Sequence, residues 1–177
     1  MLLDLIDLGK LRKAILYLLY LLGVLLVQTE ILSKITVLGV RAMVVPTAVA
    51  AAALFENGRG GALFGLAAGY FTDLVFPETT VWFTILFTLC GYGIGLGGKY
   101  VLRKGFVTYM VLAVLMLLLG TLGQMFPFLF GGGAAAAAAL RTGLLQTLWS
   151  LPVTPLFYFP CRAIASSRKD FPAHETH

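Results

Sequence analysis

The chain has 177 residues, of which 59% are hydrophobic and 12% are charged, and its mean hydropathy is +0.93. A water-soluble globule of this size needs more polar side chains to cover its surface, so the composition excludes an ordinary soluble domain and indicates a polytopic membrane protein. The formal net charge of +5 does not indicate nucleic-acid binding, because the basic residues lie in short clusters at the ends of apolar segments.

The first 55 residues contain a leader and two apolar segments. Residues 1–13 mix apolar and charged side chains, so we expect a short amphipathic leader that lies along the lipid headgroups. Residues 14–27 are continuously apolar and no small-residue cleavage site follows them, which favours a retained first span. Residues 36–55 are the second predicted span, in which Pro46 either starts the ordered helix or kinks it.

The third apolar segment, residues 60–75, has a small residue at every fourth position. Gly61, Gly65 and Gly69 recur at this spacing and Asp73 follows them. In a bilayer, small residues four apart let two helix backbones approach closely, so the pattern predicts a ridge for helix packing or partner binding. An ionisable side chain within a span is a functional candidate by default. Asp73 is therefore interpreted either as a helix-end aspartate at the interface or as a contact for a partner protein.

Small and charged residues also flank this ridge. In the polar turn before it, Glu56 and Arg59 could pair across the turn, or Arg59 could serve membrane topology alone. The fourth predicted span, residues 81–98, carries a run of glycines that would admit a neighbouring backbone. These glycines are Gly91, Gly93, Gly95 and Gly97, and we take Gly91 and Gly95 as its packing candidates.

The last third of the chain completes the set of spans. Residues 106–130 are long enough to cross a bilayer with tilt. The alanine tract 134–139 is expected to add a helical turn that leads into the last span, residues 143–160. Two prolines in that span, Pro152 and Pro155, predict a distorted second half.

Basic residues divide unevenly between the two sides of this six-span arrangement. One side has Lys10, Arg12, Lys13, Arg59, Lys99, Arg103, Lys104, Arg162, Arg168 and Lys169, and the other has Lys34, Arg41 and Arg141. Because cytoplasmic connections are enriched in Lys and Arg, both termini are expected in the cytoplasm. The predicted fold class is all-α, a single bundle of six transmembrane helices over residues 1–165 in the cytoplasmic membrane, with a polar, disordered tail over residues 166–177.

The sequence offers few groups for catalysis or for binding a metal or cofactor. His174 and His177 lie in the tail, and no serine has a histidine or lysine at a recognisable motif spacing. Cys90 and Cys161 are far apart in apolar segments and are interpreted as small core residues. We therefore expect a protein that is not an enzyme and that has no cofactor.

The order of these features resembles the MreD family, the rod shape-determining membrane proteins of bacteria. The specific likeness is residues 61–74, GALFGLAAGYFTDL, which are similar to the family's glycine-rich span ending in an aspartate, here Asp73, with Pro77 and an apolar span after it. The resemblance covers most of residues 16–162. One departure is in the second span, where the family often has an acidic or other polar residue after the proline; here Thr47 follows Pro46 and the acid is missing.

This resemblance implies a non-catalytic member of the cell-elongation machinery. By resemblance, its partners are MreC, the MreB filament, RodA and a penicillin-binding protein of the lateral cell wall. The other interpretation is an importer subunit, because MreD-like proteins are similar in architecture to the substrate-binding S-components of energy-coupling-factor vitamin importers. Against it, the outer connections predicted at residues 31–40 and 76–80 are short and offer few groups to hold a vitamin.

Overall fold

The computed structural model describes residues 8–32, 34–37, 39–75, 81–100, 104–129 and 133–166. These residues form seven α-helices and one small hairpin, so the predicted helical class is confirmed for this part of the chain. In chain order the elements are α1 (Leu8–Leu26) with a π-helical segment after it (Val27–Leu32), β1 (Thr36–Val37), β2 (Val40–Arg41), α2 (Val45–Phe55), α3 (Gly58–Val75), α4 (Trp82–Tyr100), α5 (Phe106–Leu129), α6 (Gly133–Ser150) and α7 (Thr154–Ser166).

The short helix α2 is the centre of the fold. It has 11 residues, and those from Val45 to Leu54 are all buried. Helices α3, α4, α5 and α7 pack around it. Alanines at positions 48 and 50–53 keep α2 thin enough for four neighbours, and Pro46 lies in its first turn, where a missing amide hydrogen costs no helical bond. At about 1.5 Å per residue, α2 is roughly 16 Å long, about half of a hydrocarbon core.

The second predicted span is therefore not one continuous helix. Its first part is an antiparallel hairpin in which Thr36 pairs with Arg41 and Val37 pairs with Val40. Gly39, in the turn, has a φ of 80°, a left-handed conformation that glycine adopts without the clash of a side chain. β-branched residues favour the extended strands, and helix begins only next to Pro46, at Val45.

The last predicted span is divided in the same way. Helix α6 contains the alanine tract and ends at Ser150, a turn covers residues 151–153, and α7 begins at Thr154. The prediction of a distorted second half thus corresponds to a break between two helices. Pro152 and Pro155 lie at this break, and neither can donate the backbone hydrogen bond that a continuous helix would need.

The breaks before α2 and before α7 lie side by side in the protein interior. The amide of Met43 donates to Ser150 Oγ at 2.9 Å, and the amides of Val44 and Val45 donate to Gln28 Oε1 at 3.0 and 3.1 Å. Tyr109 Oη donates to the carbonyl of Thr154 at 2.7 Å. The amides of Met43, Val44 and Val45, which lack helical acceptors, thus obtain them from side chains of neighbouring elements, and Tyr109 ties the start of α7 to α5.

The predicted leader and tail lie only partly within the described residues. Residues 1–7 of the leader and 167–177 of the tail lie outside the described residues. The rest of the leader is the first part of α1, which runs without interruption from Leu8 to Leu26. Ser166, the first residue of the predicted tail, is the last residue of α7.

Large apolar side chains are exposed on six of the seven helices. They include Leu18 and Leu22 on α1, Leu63 and Leu74 on α3, Ile85 and Leu89 on α4, Val111 and Leu122 on α5, Leu144 and Leu148 on α6, and Leu156 and Phe159 on α7. By length and composition, two helical stretches of the described chain could cross a membrane, Leu11–Leu32 and Phe106–Gln124, while Val45–Phe55 is apolar but shorter.

Candidate functional site

The glycine ridge of α3 lies directly against α4. A methyl group added at Gly61 would overlap the carbonyl oxygen of Gly91, and one added at Gly91 would overlap the carbonyl oxygen of Gly61. Methyl groups at Gly65 and Gly69 would likewise overlap the α4 backbone, at the carbonyls of Phe87 and Phe83. The backbones of α3 and α4 therefore touch over more than two turns, and only glycine allows this approach.

The glycines of α4 divide into two groups. Gly95 continues the contact, because a methyl group there would lie 2.8 Å from the Cα of Gly58 and 2.9 Å from the carbonyl oxygen of Asn57. Gly98, which the sequence did not single out, also lies in a close contact, because a methyl group added there would lie 2.9 Å from the carbonyl oxygen of Leu54. Gly93 has nothing within 4 Å and faces away from α3. Of the predicted α4 positions, Gly91 and Gly95 thus lie in the contact.

Asp73, at the end of the ridge, caps the beginning of α4. Its Oδ1 accepts a hydrogen bond from the amide of Phe83 at 3.1 Å, and its Oδ2 accepts one from the amide of Thr84 at 2.8 Å and one from Thr84 Oγ1 at 2.7 Å. Helix α4 begins at Trp82, so these amides have no acceptor within their own helix. A carboxylate here also interacts favourably with the positive end of the helix dipole. Both carboxylate oxygens of Asp73 therefore bind the first turn of α4 and link it to the end of α3.

Glu56 and Arg59 do not form a pair with each other in the described structure. Glu56, whose side chain is 15% exposed, forms an ion pair with Lys13 of α1, and the Lys13 ammonium also lies 5.9 Å from the centre of the Tyr17 ring. The Arg59 side chain is exposed. Next to Glu56, Lys104 Nζ donates a hydrogen bond to the carbonyl of Phe55 at 3.2 Å. Phe55 is the last residue of α2, and a cation there interacts favourably with the negative end of the helix dipole.

Two functional positions, Gln28 and Ser150, were missed by the sequence reasoning. Gln28 Oε1 caps the start of α2, and Ser150 Oγ accepts a hydrogen bond from the amide of Met43 and donates one to the carbonyl of Gln146. A polar residue in an apolar segment, together with a proline in another segment, was the available signal. It could not show which segments meet, because the contact joins residues more than 100 positions apart.

The candidate site is thus a closely packed pair of helices, α3 and α4, with the predicted glycines and Asp73 in the contact between them. Gly61, Gly65, Gly69, Gly91, Gly95 and Asp73 all lie within the α3–α4 contact. A partner helix could use this ridge only if α3 and α4 separated. Comparisons with protein families, with characterised proteins and with solved structures find no match.

Proposed function

We propose that this chain is a non-catalytic integral membrane component of the bacterial cell-elongation machinery, similar to MreD proteins. It crosses the cytoplasmic membrane six times, with both termini in the cytoplasm, and binds MreC. In this role it helps to couple MreB filaments to lateral peptidoglycan synthesis by RodA and a penicillin-binding protein. The observation that carries the proposal is the motif of Gly65, Gly69 and Asp73 on one apolar helix, by which the chain resembles that family.

The distribution of apolar side chains supports the membrane location. Leucines such as Leu63, Leu89 and Leu148 are between 64% and 69% exposed, and similar side chains face outward on six helices. In water, an apolar surface that surrounds the protein would cause aggregation, whereas lipid solvates it. Beside large apolar side chains, the interior contains alanines and hydrogen-bonded polar groups such as Thr47 and Ser150, as in other helix bundles that pack within lipid.

The six crossings are assembled from the seven helices. Helices α1, α3, α4 and α5 each provide one crossing. The hairpin with α2 provides the second, and α6 with α7 provides the last. Broken crossings are compatible with lipid because their free backbone groups are buried and bonded to side chains such as Gln28 and Ser150.

Because α4 covers the glycine ridge, the surfaces offered to MreC are the outward faces of the bundle. The ridge and Asp73 act indirectly, since they hold α3 and α4 in one fixed arrangement. A protein with so little mass outside the lipid acts on its partners through helix faces and short connections.

The test is depletion of the protein in its native host, followed by microscopy of cell shape. We expect cells to round and widen, because lateral wall synthesis loses its coupling to the filament. Co-purification of MreC with the protein in mild detergent is the matching biochemical measurement. Normal cell width after depletion, together with no recovery of MreC, would contradict the proposal.

The second candidate function is a substrate-binding subunit of a vitamin importer. It is favoured by a group of polar side chains near Met43, which precedes α2. In this group Thr121 Oγ1 and Thr147 Oγ1 lie 3.3 Å apart, and Gln124 Nε2 lies 3.1 Å from Met43 Sδ. These groups bond mainly to one another, which leaves fewer of them for a ligand. A growth defect on depletion that one vitamin cures would favour import over wall elongation.

A further inference from the structure

One end of the helix bundle is strongly basic. It is the end at which α1, α3 and α5 begin and at which α2 and α4 finish. Tyr158 of α7 also reaches it, because its ring lies 5.5 Å from that of Phe55 and 5.4 Å from that of Phe106. The described cations at this basic end are Arg12, Lys13, Arg59, Lys99, Lys104 and Arg162.

The basic end has little negative charge to balance these cations. Among the residues that the structure describes, Glu56 is its only carboxylate, and Glu56 is paired with Lys13. Lys104 contacts a neutral carbonyl, that of Phe55, and the Lys99 ammonium lies 5.1 Å from the centre of the Tyr100 ring. The exposed cations therefore retain their positive charge without a carboxylate partner in the described chain.

Three of these cations surround a single turn, the connection from α2 to α3. Lys104 binds the last carbonyl of α2, and Arg59 begins α3 on the other side of the turn. The end of α4 packs against the same turn, because Gly95 lies close to Asn57 and Gly98 lies close to Leu54. Lys99 is the next residue of α4 after Gly98. The glycine contacts thus bring the end of α4 with Lys99, and the bond to Phe55 brings Lys104, next to the turn that Arg59 follows. These three cations are up to 45 positions apart in sequence.

We propose that this turn is a binding site for the headgroup of an anionic phospholipid in the adjacent leaflet. The inference rests on the membrane location given under Proposed function. Lys and Arg side chains at a membrane surface are attracted to anionic headgroups, and a guanidinium can bind a phosphate through two parallel hydrogen bonds. Tyr100, which is 73% exposed beside Lys99, is suited to the headgroup region, where an aromatic ring with a polar hydroxyl is favoured.

The test compares two variants that each lose three cations, at opposite ends of the bundle. The test variant is Arg59→Gln, Lys99→Gln and Lys104→Gln, and the control variant is Lys34→Gln, Arg41→Gln and Arg141→Gln. Native mass spectrometry of each purified protein in detergent measures its binding of phosphatidylglycerol and of phosphatidylcholine. We expect the wild type and the control to prefer phosphatidylglycerol, and the test variant to bind it roughly 100-fold more weakly, about fivefold per lost charge.

Two further measurements separate the possible outcomes. A charge-retaining variant, Lys99→Arg with Lys104→Arg, should bind as the wild type does, so that loss of fold is distinguished from loss of charge. Inorganic phosphate at the same concentration should not displace the lipid, and displacement would assign the site to a soluble phosphate instead. Equal lipid preference in test and control variants would overturn the proposal. Failure of the wild type to remain in membranes after alkaline extraction would instead contradict the proposed membrane function.

Discussion

At the scale of single residues, the glycines of α3 and α4 differ in what an added side chain would meet. Gly65 on α3 faces the carbonyl of Phe87, whereas Gly93 on α4 faces open space. Inside a helix, replacing glycine by alanine gains about 1 kcal/mol of intrinsic propensity, while forcing atoms into a packed contact costs about 1 to 3 kcal/mol. The same substitution should therefore have opposite effects at the two positions.

We predict that Gly65→Ala destabilises the protein and that Gly93→Ala does not. The added methyl group at position 65 must push α3 away from α4, whereas the one at position 93 only favours helix. Thermal unfolding in detergent, followed by circular dichroism, compares the two variants. A midpoint for Gly65→Ala equal to that of the wild type would contradict a close contact between α3 and α4 at this position.

Asp73 has a structural use that a partner-binding role would not require. We predict that Asp73→Asn lowers stability by about 1 to 3 kcal/mol, because asparagine has one acceptor oxygen and one of the amides of Phe83 and Thr84 would lose its acceptor. Thr84→Val is the matched variant, since it removes only the hydroxyl bond to Asp73 and should cost less. If Asp73→Asn kept full thermal stability but lost binding to the proposed partner, MreC, the carboxylate would be a partner contact instead of a cap.

At the scale of elements, the adjacent breaks before α2 and α7 depend on side chains from other parts of the chain. Ser150 accepts the amide of Met43 and donates to the carbonyl of Gln146. Removing one partner of a buried hydrogen bond leaves the other unsatisfied, which lowers the free energy of unfolding by about 1 to 3 kcal/mol. The interrupted segments are therefore held together by a few hydrogen bonds whose loss is costly.

We predict that Ser150→Ala destabilises the protein by about that amount. Thr142→Ala is the control, because Thr142 bonds only to the carbonyl of Ala138 in its own helix and is exposed. Chemical or thermal unfolding in detergent measures both. Similar small effects in the two variants would show that the breaks do not depend on this bond.

At the scale of the whole molecule, the proposed orientation in the membrane rests on the position of the basic end. We predict that cysteines placed at Arg59 or Lys104 are protected from a membrane-impermeant maleimide in intact cells, and that cysteines at Arg41 or Arg141 are labelled. The background for these variants is Cys90→Ala with Cys161→Ala. After cell lysis all four positions should react, because their side chains are exposed. Labelling of Arg59→Cys in intact cells would reverse the proposed orientation.

How much could be read from the sequence differs between the parts of the molecule. The spacing of Gly61, Gly65 and Gly69 was sufficient to predict a close-packing ridge, because helix periodicity places every fourth residue on nearly the same face. The sequence left open whether this ridge met another helix of the chain or a partner, since both use the same chemistry. On α4, the four-residue spacing of Gly91 and Gly95 likewise marked the two glycines that meet α3, but the sequence did not single out Gly98, which packs against Leu54 of α2.

By itself, the sequence determined the helical class, the apolar segments and the period of small residues, because these depend on composition and local periodicity. Only the tertiary structure decided that residues 36–55 divide into a hairpin and a buried half-helix, that Asp73 caps α4, and that Lys13 rather than Arg59 pairs with Glu56. Each of these results depends on contacts between different elements, and hydrogen bonds and ion pairs form wherever packing brings a donor and an acceptor together. Local propensity does not record which elements become neighbours.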